Sequence, residues 1–142
     1  MNETIVKFGY PATLIADFTH WLVLLRPAQP TLGSLVLAAK SDATAFGDLP
    51  EGAHAELKPV TAAIERTLAG FVDYQRLNYL MLMMVDPHVH FHVLPRYADA
   101  RHWEGLEFRD EAWPGPPQLA GARILNADEI VALASHLRSR WR

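Results

Sequence analysis

Hydrophobic and polar residues follow two different rhythms along this chain, and each predicts a different element. Before residue 40 the apolar residues come in short runs: Thr13-Leu14-Ile15-Ala16, Trp21-Leu22-Val23-Leu24-Leu25 and Ser34-Leu35-Val36-Leu37-Ala38. Asp17, Arg26-Pro27 and the stretch from Pro30 to Gly33 interrupt them, which predicts three strands of a largely antiparallel sheet. Between Pro50 and Val72 the spacing changes. Leu57, Val60, Ile64, Leu68 and Phe71 recur every three or four residues and so share one face of a long helix. Pro59 falls inside that pattern and predicts either a kink or a helix that starts near Lys58, because proline lacks an N–H and clashes with the preceding turn. Two further apolar stretches, Leu77 to Val85 and His88 to Leu94, flank Asp86-Pro87 and predict paired strands. Beyond Tyr97 come Trp103 and the run Trp113-Pro114-Gly115-Pro116-Pro117, which favour an extended loop. Asn126 is an N-cap for a final helix that carries Ile130, Leu133, Ala134 and Leu137 on one face. The sum is an α+β domain over residues 1–142: an antiparallel sheet of about five strands, one long helix after the third strand and a C-terminal helix. No internal repeat is visible.

Composition narrows the field without changing that picture. The 142 residues are 50% hydrophobic and 20% charged, the balance of one folded domain. With no cysteine, disulfides and thiolate catalysis are excluded, any metal site must use nitrogen and oxygen ligands, and a cytoplasmic location is expected. Met1-Asn2-Glu3-Thr4 does not open a signal peptide, and no apolar run nears the roughly 20 residues that span a bilayer, so no membrane partner is expected. A formal charge of -3 offers no field for collecting nucleic acid, so phosphate recognition must come from a few placed groups.

The chemistry concentrates in His88-Val89-His90-Phe91-His92. Side chains two apart on a strand point the same way, so the three imidazoles line one surface while Val89, Phe91 and Val93 anchor the strand from the other. A single histidine on a strand is usually a surface or satisfied core residue. Three in register have no packing advantage over valine or threonine and each costs desolvation, so the row points to function. Metal binding is one candidate, but the outer Cα atoms of such a row lie about 13 Å apart, too far for three rings to meet one ion. A His-x-His pair could hold a metal only with help from elsewhere, for which His20, His54, His102 and His136 are nominees without a distinguishing mark. Nucleophilic catalysis uses the row better: the central imidazole attacks phosphorus while its neighbours donate hydrogen bonds to the non-bridging oxygens.

The segment His88-Val89-His90-Phe91-His92-Val93-Leu94 resembles the signature of the histidine triad family. Pro95-Arg96 beyond it is similar to the branch that contains the fragile histidine triad and dinucleoside polyphosphate hydrolases. The resemblance covers about residues 10–97. It implies an α+β fold, a homodimer, and hydrolysis or transfer of a nucleoside monophosphate unit through a nucleotidylated His90, with His88 and His92 on the phosphate and the leaving group. It also places Asn78 against the phosphate, though a plain strand-end asparagine is an equal reading. No cofactor is required, and Mg²⁺ would accompany a polyphosphate substrate. Three departures stand out: Ser34 replaces a family histidine, Leu24 or Leu25 stands where a ribose-contacting polar residue is usual, and Leu82-Met83-Met84-Val85-Asp86-Pro87 replaces a glycine-rich approach. Arg96 could pair with a polyphosphate or be a solvated surface group. Trp113 could stack on a base or anchor a loop or a dimer contact, and Ile15, Phe18 and Leu35 could line a purine pocket or be plain core. The alternatives to an enzyme are a nucleotide-binding sensor with slow turnover and a metal-dependent protein using a His-x-His pair.

Overall fold

The structure, a computed structural model, describes residues 1–141. Five strands form the main antiparallel sheet: β1 (Leu14–Asp17), β2 (Trp21–Leu25), β4 (Leu35–Ala39), β5 (Arg76–Leu80) and β6 (His90–Arg96), in the order β1-β2-β4-β6-β5. β3 (Ala28–Gln29) pairs with β9 (Arg123–Ile124) beside it. The α+β class, the sheet and both expected helices are present. Helix α2 spans Glu51–Val72 and α3 spans Ala127–Arg140.

Register explains why the sheet has two unlike faces. Trp21, Val23 and Leu25 of β2 stand beside Ala39, Leu37 and Leu35 of β4, and Val93 beyond them, on the face that α2 and α3 cover. Val60, Ile64 and Leu68 of α2 and Leu133, Ala134 and Leu137 of α3 are buried against it, each large aliphatic side chain contributing about 1.5–3 kcal/mol by leaving water. Leu22 and Leu24 stand beside Ala38 and Val36 on the opposite face, and these pair with His90 and His92. That face is covered by a short helix, α1 (Glu3–Lys7), through Ile5, with Phe8, Tyr10 and Leu14 packed around it.

Several expectations need correction. Helix α2 runs through Pro59 from Glu51 rather than starting near Lys58. Ala55, whose carbonyl loses its partner to the proline, is solvent-exposed, so water can satisfy it. The strand expected to reach Val85 ends at Leu80, and β6 starts at His90 rather than His88. Met83 sits at φ 45 in the intervening loop, a left-handed conformation that breaks a ladder. The expected loop after Tyr97 contains a hairpin, β7 (Arg101–Trp103) with β8 (Leu106–Phe108), whose turn residues Glu104 and Gly105 both have positive φ. Helix α1 has no counterpart among the expected elements, because five residues are too short for a helical period to show. Its N-cap Asn2 accepts from the Ile5 N–H at 3.0 Å and donates to the Ala39 and Ser41 carbonyls, tying the segment to β4.

Candidate active site

His90 and His92 stand where the alternation predicts, whereas His88 lies ahead of the strand and does not line the cleft they share. His90 and His92 are side by side on β6, ring centroids 5.1 Å apart and nearly perpendicular. His88, just ahead of the strand, reaches the same covering segment: Thr4 Oγ1 of α1 lies 2.9 Å from its Nδ1. Phe8 packs over the other two rings, 5.6 Å from His90 and 5.9 Å from His92, and leaves them 2% and 6% exposed. His90 and His92 open onto a cleft of about 330 Å³ bounded by Lys7, Phe8 and Arg26 on one side and the loop from Leu82 to Asp86 on the other. Lys7 and Asp86 close its rim with a 2.7 Å ion pair.

Hydrogen bonding assigns the two rings opposite tautomers. His90 Nδ1 is 2.7 Å from the His88 carbonyl, which can only accept, so Nδ1 carries the proton and Nε2 keeps its lone pair. Arg26 Nε donates to His92 Nδ1 at 3.3 Å, and arginine has no acceptor, so this Nδ1 is bare and the ring proton is on Nε2. Burial, reinforced by the charge of Arg26 and then by His90, pushes the His92 pKa down to about 4, with Asp86 opposing. The cleft thus presents one imidazole with a free Nε2 lone pair and a neutral one as an Nε2–H donor. Among the described residues no group of three or more histidines, aspartates or glutamates could hold a metal ion. His54 packs edge-on against Phe46, and His136 packs at a tilt against Phe71 and Trp103.

The other nominated residues lie elsewhere. Ser34 is fully buried in the turn before β4, its hydroxyl donating to the Thr31 carbonyl at 2.7 Å, and does not border the histidine cleft. Arg96 is not a solvated surface group: it is 4% exposed and donates to Asp110 at 2.6 and 3.1 Å, to Asn78 Oδ1 at 2.8 Å and to the Gly115 carbonyl at 2.9 Å. Asn78, Arg96 and Trp113 border a second groove, of about 900 Å³, along β5. Ile15, Leu35 and Phe18 belong to the core on the helix-covered face, opposite His90. Leu24 is likewise core, and the polar group at the end of β2 is Arg26, where Arg26-Pro27 along the chain reads only as a strand break. A signal existed: Leu22, Leu24 and Arg26 alternate, and extending the strand by one step puts Arg26 on the histidine face.

The sequence matches no family model and no curated protein. Solved structures supply the likeness. A histidine triad protein from Bradyrhizobium japonicum is 22% identical, with 99% of this chain and 96% of that chain covered at a TM-score of 0.75. A histidine triad protein from Sinorhizobium meliloti is 20% identical, with 99% and 95% covered and a TM-score of 0.74. Diadenosine triphosphate hydrolase from Plasmodium falciparum is 10% identical, with 91% and 76% covered and a TM-score of 0.68. The chain therefore has the histidine triad fold, as its His-x-His-x-His motif led us to expect.

Proposed function

We propose that this protein is a nucleotide hydrolase or nucleotidyl transferase that works through a covalent nucleotidyl-His90 intermediate. The observation that carries the reading is the 2.7 Å bond from His90 Nδ1 to the His88 carbonyl, which leaves Nε2 as a lone pair in a cleft. In the first step Nε2 attacks the α-phosphorus, the Nε2–P bond forms, and the bond from phosphorus to the leaving group breaks with the electron pair going to that group. In the second step water or another acceptor attacks phosphorus, gives up its proton, and releases Nε2. His92 Nε2–H and the nearby cations, Arg26 and Lys7, suit the non-bridging oxygens, where charge gathers. A neutral imidazole is too weak an acid to give its Nε2 proton to a departing amine, whereas a phosphate leaves as an anion. Between a phosphoramidate and a phosphoanhydride such as a dinucleoside polyphosphate, the anhydride is thus the better match. The reaction balances without a cofactor, and Mg²⁺ would enter with the polyphosphate.

The test is AMP release from diadenosine polyphosphates and from an adenosine phosphoramidate, with and without Mg²⁺, resolved by chromatography. His90→Ala is expected to lower release at least ~10³-fold. Undiminished release by that variant would sink the mechanism. One observation favours a second reading, a nucleotide-binding sensor with slow turnover: the nucleophile lies under Phe8 with 2% of its surface exposed. Tight nucleotide binding without AMP release would select it. We also propose a homodimer, supported by β5, which lies at the sheet edge beside the larger groove, and testable by light scattering. No helix among the described residues is long and apolar enough to cross a membrane.

A further inference from the structure

We propose that Arg26 is a positioning residue of this site, whose guanidinium holds His92 in the tautomer that keeps Nε2–H available to a phosphate oxygen. The inference rests on the reading of the cleft as a phosphate-reacting site, but its geometry is independent of any substrate. A neutral imidazole has two tautomers of similar energy, and only one leaves the proton on Nε2. Arginine is a donor at every nitrogen, so the 3.3 Å approach of its Nε to His92 Nδ1 is attractive in that tautomer and repulsive in the other.

The guanidinium is itself held. Arg26 Nη1 donates to the Ala28 carbonyl at 2.6 Å, and the Arg26 backbone N–H donates to the Ser34 carbonyl at 3.1 Å. The Arg26 carbonyl accepts from Gln29 Nε2 at 2.6 Å. Gln29, 1% exposed, also donates to the Ser34 carbonyl at 2.8 Å and accepts from the Gly33 and Ser34 N–H groups at 2.9 and 3.2 Å. Gly33 sits at φ +97 with Pro95 Cγ only 3.2 Å from where a Cβ would fall, so no other residue takes this turn without strain. Ser34 thus supports the site through the turn that places Arg26, and not by touching a ligand. Four charged or titratable groups face His92 or its cleft: Arg26 after β2, His90 on the same strand, Asp86 from the loop ahead of β6, and Lys7 from α1, paired with Asp86. Arg26 is the one bonded to the ring.

The full chain labelled with ¹⁵N gives a direct test, because long-range ¹H–¹⁵N correlation distinguishes the protonated from the bare nitrogen of each imidazole. In the unaltered protein His92 is expected as a single Nε2–H tautomer. In Arg26→Met we expect a mixture of tautomers, a His92 titration midpoint raised by about one pH unit or more, and AMP release lowered about 100-fold in kcat with a smaller change in KM. Arg26→Lys keeps a donor-only cation that can bond Nδ1, so both the low midpoint and the Nε2–H tautomer should persist. An unchanged tautomer and midpoint in Arg26→Met overturns the inference. If that variant does not fold, an unchanged single tautomer and midpoint in Arg26→Ala does the same. Absence of AMP release from the unaltered protein would instead count against the proposed chemistry, and the ring spectra would still decide the role of Arg26.

Discussion

Two arginines on one face of the sheet have opposite surroundings. Arg96, at the end of β6, is buried with its charge met by Asp110 and its other donors spent on Asn78 and the Gly115 carbonyl. Arg26, just past β2, is half-buried and has no carboxylate partner among the described residues: it donates to one backbone carbonyl and to the neutral ring of His92. A saturated cation fixes a loop. An unneutralised one beside His90 and His92 leaves a positive potential for a ligand to answer. An arginine's partners thus say more about its role than its distance from a motif.

Three experiments would sharpen or break that contrast. The largest effect is expected at Arg96. Its replacement by alanine leaves Asp110 buried without a counter-charge and should cost about 3–5 kcal/mol in urea unfolding, whereas Arg26→Ala should cost only about 1 kcal/mol. Equal costs would mean that Arg26 is as structural as Arg96. Next in size is Phe8→Ala. Loss of a half-buried ring should cost about 1–2 kcal/mol and speed the carbethoxylation of His90 severalfold, since Phe8 is what covers it. An unchanged modification rate would show that other groups shield the nucleophile.

The smallest effect is on the pH dependence of stability. His92 titrates near 6.5 when unfolded and at about 4 when folded, so the unfolded chain binds more protons between those values. Stability from this group is therefore complete above pH 6.5 and falls as the pH drops towards 4. A His92→Asn variant should show a shallower slope in that window alone, read from melting temperatures across a buffer series. Arg26→Met should flatten it too, since burial is the larger cause of the low value but the guanidinium is the next.

How much of the site was legible follows from the range of each interaction. The tautomer of His90 is set by a carbonyl only two residues away, that of His88, so a motif can carry it whole. The donor's tautomer is set by residues 66 apart, Arg26 and His92, and no local pattern marks that pairing. Arg96 shows the converse. Beside the motif it resembles a phosphate ligand, yet Asp110, fourteen residues on, neutralises it once the chain folds.

The α+β class, the opposite faces of the histidine strand, the inward stripe of α2 and the cap of α3 were legible along the chain. All of these depend on period-two or period-3.6 patterns, or on a cap and its helix, within one element. Tertiary structure alone decided that a five-residue helix and Phe8 roof the histidines, that Ser34 braces a turn, and that Arg26 rather than Arg96 reaches the cleft. The physical reason is that burial and charge pairing depend on which distant groups share a neighbourhood. A pattern of neighbours along the chain records which way a side chain points, but not what it meets there.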